Sequence, residues 1–297
     1  MKKLFIAVYL TLSASFTPIA AKYVVNEITP LLLAFYRFGI ATLLLLFIFF
    51  IKKQNFKIDR KDIFLFIVLG ALVIPINQLF FLYGIYLSSA SHSGVFYACI
   101  PLLVYFSSII FNIERFSLKK LLTISLSVVG LIIIFGGNII EMKTVGADKL
   151  WGDVLLFFAV SSWALYLTLS TNMVTKYGTI KTTTVAFSIG MVLSIPMLIY
   201  DTDNITFHKV TFWGVVGFFY LSILVAFAGK FIYTYSTKII NTTTLAAFTN
   251  IAPIITILLS WILLKEELSY FFIAGALITI LGVFLTQFFI DKSLITK

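Results

Sequence analysis

Ten runs of apolar residues, each near the length needed to cross a lipid bilayer, dominate this 297-residue chain and leave it little else to be. They fall near 4–25, 31–51, 63–87, 93–112, 121–136, 152–173, 182–199, 212–236, 243–264 and 270–290. A helical span takes about 20 predominantly apolar residues. Ten of them therefore use most of the chain, and the short connections have no room for a separate catalytic domain. Composition agrees: 61% of residues are hydrophobic and 11% charged, with a mean hydropathy of +1.07, a balance that no water-soluble core requires. The expected fold class is all-α integral membrane, and the lipid bilayer is the first partner. Lys2-Lys3 before an apolar stretch ending at Ala20-Ala21 imitates a secretory signal. That stretch is long for a signal core and runs straight into the next span, so it reads as span 1.

The net charge of +10 would suggest nucleic acid in a soluble protein. Here it has a directional reading instead, and no nucleic-acid partner is expected. With the N-terminus inside, fifteen of the 22 Lys and Arg fall on inner segments. Five (Lys22, Lys143, Lys149, Lys209 and Lys265) fall on outer ones. Short cytoplasmic loops carry the excess of basic residues, which predicts an inner (plasma) membrane protein with both termini cytoplasmic. The lone Cys99 excludes an intrachain disulfide.

Adding 152 to a residue number in the first half lands on a similar residue in the second. Phe96 maps to Phe248, Pro101 to Pro253, Ser108 to Ser260, Glu114 to Glu266 and Gly130 to Gly282. Two five-span units follow, 1–140 and 150–297. Because five is odd, the second copy is inverted in the membrane, an arrangement found in secondary transporters with a mid-membrane site between the halves. The offset also carries a stripe of small and hydroxyl residues, Thr242, Ala246, Thr249, Pro253, Thr256 and Ser260, on one face of span 9. Such a stripe serves close packing or lines a cavity; the prolines favour the cavity. Pro18, Pro75, Pro101 and Pro253 are candidate kinks or gating points, since each removes a backbone hydrogen bond.

Polar side chains inside spans mark candidate sites. Arg37 and Lys230 are the two cations within spans; Lys230 is the offset partner of Gln78, which adjoins Asn77. Tyr97, His92, Asn250, and Trp163 with Tyr166 complete the candidate substrate-binding set. The twelve acids all fall in loops or at span ends, so a proton relay is not expected, and transport should be facilitative or by exchange. No clustered His, Cys or acid spacing suggests a metal, no phosphate loop is present, and no cofactor is expected.

These residues resemble the drug/metabolite transporter superfamily of EamA type. Tyr36-Arg37-Phe38 is similar to that family's second-span signature. Leu87-Ser88-Ser89-Ala90 through Pro101, Glu114-Arg115-Phe116-Ser117 and Gly130 resembles its helix start, mid-span proline, turn and later glycine; Ile239 to Gly282 repeats the pattern, and Ser162-Trp163-Ala164-Leu165-Tyr166 resembles the sixth-span motif. Ser13-Ala14 and Ile113-Glu114 depart from it. The resemblance implies ten helices, cytoplasmic termini and transport, commonly export, of amino acids or related metabolites. The expected function is thus a secondary transporter, not an enzyme, for a small, anionic or zwitterionic metabolite. The alternatives are a broad exporter of amphipathic compounds and, further off, a lipid-modifying membrane enzyme. Monomer and homodimer stay open.

Overall fold

A computed structural model describes residues 2–113, 116, 118–140, 147–201, 210–229, 232 and 251–295, almost all of them in helices. Among the described residues five helices are long and apolar enough to cross a membrane: Phe5–Val24, Pro30–Ile51, Arg60–Leu87, Ala147–Tyr177 and Thr179–Tyr200. A bent pair, Ala90–Ala98 with Ile100–Ile110, passes as a sixth, and shorter apolar helices cover Ser125–Gly137, Phe212–Ala228, Ala252–Leu263 and Tyr270–Leu285. In chain order we label α1 (Lys2–Val24), α2 (Pro30–Ile51), α3 (Ile63–Ala71), α4 (Asn77–Leu87), α5 (Ala90–Ala98), α6 (Ile100–Ile110), α7 (Leu118–Ile140), α8 (Ala147–Tyr177), α9 (Thr179–Leu193), α10 (Ile195–Tyr200), α11 (Phe212–Phe219), α12 (Ala252–Leu263) and α13 (Tyr270–Ile295).

Local chemistry sets the ends. The Thr29 hydroxyl accepts from Leu32 N at 3.4 Å and Pro30 occupies the first turn of α2, a position where its missing N–H is no loss. Ser89 and Thr211 cap α5 and α11 in the same way, accepting from His92 N at 3.2 Å and Gly214 N at 3.1 Å. The prolines act differently from one another. α1 runs through Pro18 as one helix. Pro75 lies in a π-helical turn, Leu72–Ile76, that joins α3 to α4, where a widened turn accommodates the ring. Pro101 starts α6 after a break at Cys99, and the two pieces meet at 41°. Pro196 likewise breaks the predicted seventh span at Ser194. Pro253 opens α12.

A second π-helical stretch, Tyr220–Ala228, follows α11. Adding the offset of 152 to Leu72–Ile76 lands inside it. The seam between α7 and α13 carries the same relation more directly. The Ser127 hydroxyl donates to Thr279 O at 3.2 Å, and the Thr279 hydroxyl donates to Ser127 O at 3.4 Å, across a separation of 152 residues. A Cβ on Gly130 would meet Thr279 Oγ1 at 2.3 Å, and one on its offset partner Gly282 would meet Ser127 Oγ at 2.3 Å. Gly137 abuts Phe271 and Ile134 abuts Gly275, so the two helices run antiparallel with reciprocal contacts. Such a self-complementary contact is what a two-fold pair of surfaces makes.

Apolar side chains cover the outside, among them Leu43, Phe47, Phe64, Leu277 and Leu281, while Ser, Thr, Asn, Gln and Arg side chains turn inward. Lipid imposes that distribution, since helices gain nothing by hiding leucine from hydrocarbon and must satisfy their polar groups against one another. Two large apolar clusters and three smaller ones fill the described interior. One large cluster gathers Leu33, Ala34, Phe81, Leu82, Ile85, Leu156 and Val160; the other gathers Phe38, Leu45, Phe66, Leu69, Val73, Tyr166 and Phe187. The boundary between them crosses α2 between residues 34 and 38, the α3–α4 helix between 74 and 81, and α8 between 160 and 166. Four of the polar residues singled out from sequence lie at that level.

Candidate functional site

The boundary level is held by a chain of hydrogen bonds. Arg37 from α2 is 4% exposed, and its Nη1 donates to Gln78 Oε1 at 3.2 Å while Nε donates to Leu221 O at 3.1 Å. Gln78 Nε2 donates to Asn77 Oδ1 at 2.5 Å, and Asn77 Nδ2 donates to Ala159 O at 2.7 Å. The Tyr97 hydroxyl lies against Asn77, and the phenols of Tyr97 and Tyr220 lie near Arg37. Both π-helical segments contribute. The first ends at Ile76, immediately before the two amides, and the second carries the Leu221 carbonyl. Ser162 from α8 donates to Leu72 O at 2.7 Å at the start of the first segment, and next to it Trp163 stacks on Tyr166 with centroids 5.4 Å apart.

Among the described residues Arg37 has no carboxylate partner. Its charge is met by two neutral acceptors and by the Phe38 ring 5.3 Å away. A guanidinium in low dielectric is costly to leave uncompensated, and neutral acceptors recover only part of what a bound anion would.

Arg37, Asn77, Gln78 and Tyr97 therefore come together, with Trp163 and Tyr166 along the neighbouring face of α8. Lys230 and Asn250 lie outside the described residues, as do Thr242, Ala246 and Thr249 of the span 9 stripe. The described part of that stripe packs closely instead of lining a cavity. Thr256 donates to Ser15 O at 3.1 Å, Ser15 donates to Ala252 O at 3.2 Å, and a Cβ on Gly94 would meet Thr256 Cγ2 at 2.9 Å.

His92 is apart from this group. It is 2% exposed, near one end of the bundle, with Nδ1 2.8 Å from Asp153 Oδ2 and 2.9 Å from Oδ1. Asp153, at the start of the predicted sixth span, lies six residues into α8 and is fully buried. Gly152 makes this possible, because a Cβ there would sit 2.5 Å from Ser88 N. The close approach sets Asp153 beneath Ser88, whose hydroxyl donates to Oδ1 at 2.5 Å. Sequence reasoning had placed Asp153 at the span end; the available signal was that His92 and Asp153 both lie within a turn or two of span ends on the same predicted side.

Comparison with known proteins settles the class. The profile of the EamA-like transporter family matches residues 1–136 and again 150–288. The chain belongs to the EamA-like transporter family. Similar proteins include the uncharacterized transporter YyaM of Bacillus subtilis (strain 168), 29% identical over 273 residues, covering 89% of this chain and 86% of the relative. An uncharacterized transporter of Archaeoglobus fulgidus is 26% identical over 263 residues, covering 88% and 89%. A solved crystal structure with 13% identity superposes with a TM-score of 0.62 over 96% of this chain and 95% of that one, a likeness of fold. The protein is thus a multi-pass membrane transporter of the drug/metabolite class, not an enzyme, and the polar belt around Arg37 is its candidate substrate site.

Proposed function

We propose that this transporter moves a small organic metabolite bearing a carboxylate or other anionic group, an amino acid or related compound, outward across the inner membrane by alternating access. Ten spans form two inverted five-helix halves, 1–140 and 150–297, with both termini cytoplasmic. The observation that carries the substrate class is Arg37: a buried guanidinium that, among the described residues, bonds only to neutral acceptors at mid-bundle. Its planar fork can grip a carboxylate in two places, while Asn77, Gln78 and Tyr97 supply neutral donors and acceptors for the rest of the ligand. Support for the halves comes from the reciprocal Ser127–Thr279 bonds, the π-helical segments at equivalent positions and the twofold match of one family profile. The basic-residue bias supports the orientation. The Trp163–Tyr166 stack favours the second reading, a broad exporter of amphipathic compounds.

Proteoliposome counterflow of isotopically labelled amino and hydroxy acids tests this. An accepted substrate should lose tenfold to a hundredfold in affinity with Arg37→Lys, because a charge-assisted hydrogen bond contributes about 1.5–3 kcal/mol. The melting temperature serves as the folding control. Equal affinity in wild type and Arg37→Lys at equal stability would remove the anionic preference and leave the amphipathic reading.

A further inference from the structure

At the end of the bundle that holds His92, polar and charged side chains are spent inside the protein. The imidazole stacks on Phe272 with centroids 4.4 Å apart. Lys22 donates to the carbonyls of Ile85, Tyr86 and Ser88 at 2.7, 3.0 and 2.7 Å, and Glu266 accepts from Ala90 N at 2.8 Å and Ser91 N at 3.0 Å. The opposite end keeps cations in reserve. The connector from α2 to α3 carries Lys52, Lys53, Lys57, Arg60 and Lys61, all exposed, and among the described residues none of the five makes an ion pair.

The two acids of the connector are already engaged. Lys176 from α8 binds Asp59 and Asp62, and the Tyr177 hydroxyl donates to Asp62 at 2.6 Å. The end of α2 is equally complete: Lys52 N, Lys53 N and Gln54 N donate to Ile48 O, Phe50 O and Phe49 O at 2.9, 2.9 and 3.1 Å, so no lysine side chain is needed to cap it. Lys53 stands in the left-handed region at φ 49°, a helix-end position that commonly falls to glycine. Beneath the connector lies a further cation. Lys181 of α9 is 8% exposed and donates to Asn55 Oδ1 at 3.0 Å and to Lys57 O, both neutral acceptors. These bonds fix the connector without cancelling the charge, and the result is an unbalanced positive field on a held backbone.

Apolar side chains set the depth of that field. Phe56 folds back on buried Phe49 with centroids 4.4 Å apart and faces Phe50 at 6.0 Å. Phe50, Ile51 and Phe56 stay exposed, as do Ile63 and Phe64 at the start of α3. Exposed rings among lysines belong where acyl chains meet headgroups: hydrocarbon covers the rings, and the lysine stems reach past them. What meets the ammonium groups there is the phosphodiester of a lipid. A zwitterionic headgroup brings its own cation and gains little. A headgroup with net negative charge is drawn in, and about four to eight basic residues beside a span are enough to select it.

We propose that the 52–61 connector is a binding site for an anionic phospholipid, its phosphodiester held by Lys52, Lys53 and Lys57 and its acyl chains lying on Phe50, Ile51 and Phe56. Arg60 and Lys61 extend the attracting field. Because Phe49 of α2 and Lys181 of α9 hold the same segment, the bound lipid steadies the end of the bundle where the exposed ion pairs lie.

Full-length protein in detergent is incubated with equal amounts of phosphatidylglycerol and phosphatidylcholine of the same acyl chains, and the retained lipid is counted by native mass spectrometry. Phosphatidylglycerol should be enriched about tenfold or more, since each lysine near an anionic surface contributes about fivefold. Lys52→Gln with Lys57→Gln should remove most of the enrichment at unchanged melting temperature. Lys149→Gln with Lys265→Gln, at the other end, should keep it. Equal retention of the two lipids by wild type overturns the proposal, and so does equal loss in both double variants, which would report net charge alone. Inorganic phosphate and glycerol 3-phosphate separate a lipid from a soluble anion. Neither should displace the lipid, whose chains hold it to the rings; displacement by either overturns the lipid assignment. Should the connector variant fail to fold, hydrogen exchange of the 51–58 backbone in wild-type protein replaces it. Exchange should be slower in phosphatidylglycerol nanodiscs than in phosphatidylcholine ones, and equal rates overturn the proposal.

Discussion

Both ends of the bundle tie the first half of the chain to the second by acid–base contacts, and the two ties are built from opposite materials. At one end, His92 and Asp153 have side chains 3% and 0% exposed. At the other, Lys176 joins Asp59 and Asp62, the Tyr177 hydroxyl donates to Asp62 at 2.6 Å, and Lys181 donates to Asn55 at 3.0 Å. There Lys176 is 37% and Asp59 55% exposed. The chemistry is alike, but solvation differs. An exposed pair trades water for a partner at little net gain and is screened by salt. A buried pair has already lost its water, so each member is held by the other and by what proton it carries. The exposed end should therefore respond to salt and the buried end should not.

The largest effect should come from breaking the buried pair. His92→Ala removes the imidazole from the Asp153 carboxylate, and breaking a buried pair in this way costs about 3–5 kcal/mol. Thermal unfolding in detergent should show a large fall in melting temperature. Removing both charges while keeping volume, as in His92→Phe with Asp153→Leu, should recover most of it, since apolar replacement of a buried pair is often neutral or better. A double variant as unstable as the single one would mean that packing on Phe272, not charge, sets stability at this end.

A smaller effect tests whether the two ends pivot about one seam. The glycines Gly130 and Gly282 occupy equivalent places in the α7–α13 contact, each facing the other helix's hydroxyl residue. A methyl on either must push backbone or a hydrogen-bonded side chain aside, and such overpacking costs about 1–3 kcal/mol. Gly130→Ala and Gly282→Ala should therefore destabilise alike. A large difference between them would show that the seam is symmetric in sequence only.

The legible part of this molecule was what periodicity and offset report. Five of the apolar runs match helices long enough to cross a membrane, and Arg37, Asn77, Gln78 and Tyr97, chosen separately as polar groups inside spans, meet at one level. That happened because lipid forces polar side chains inward, so a polar residue in a span already states which way it faces. Asp153 escaped for the converse reason. Near a span end, sequence does not say whether a side chain meets water or a neighbouring helix, and the decision was made by Gly152 letting α8 approach Ser88 from 64 residues away. The π-helical turns were equally hidden, since Pro75 marks one and no proline marks the other.

The smallest effect belongs to the exposed end. Lys176 holds the Asp59 carboxyl below the ordinary aspartate range, first by hydrogen bonding and then by its charge. A lowered carboxylate contributes stability that is fully present above the unfolded value, near 3.9, and that is lost only as pH falls through the lowered one. This tie should then be constant from pH 5.5 to 8. Its sensitivity is to ions: the screening length shortens from about 10 Å at 0.1 M salt to about 3 Å at 1 M. Asp59→Asn should lower the melting temperature slightly in low salt and not at all at 1 M, with no trend across neutral pH. A deficit for Asp59→Asn that persists at 1 M, or that varies between pH 5.5 and 8, would mean that the exposed tie is sheltered after all and that solvation does not distinguish the two ends.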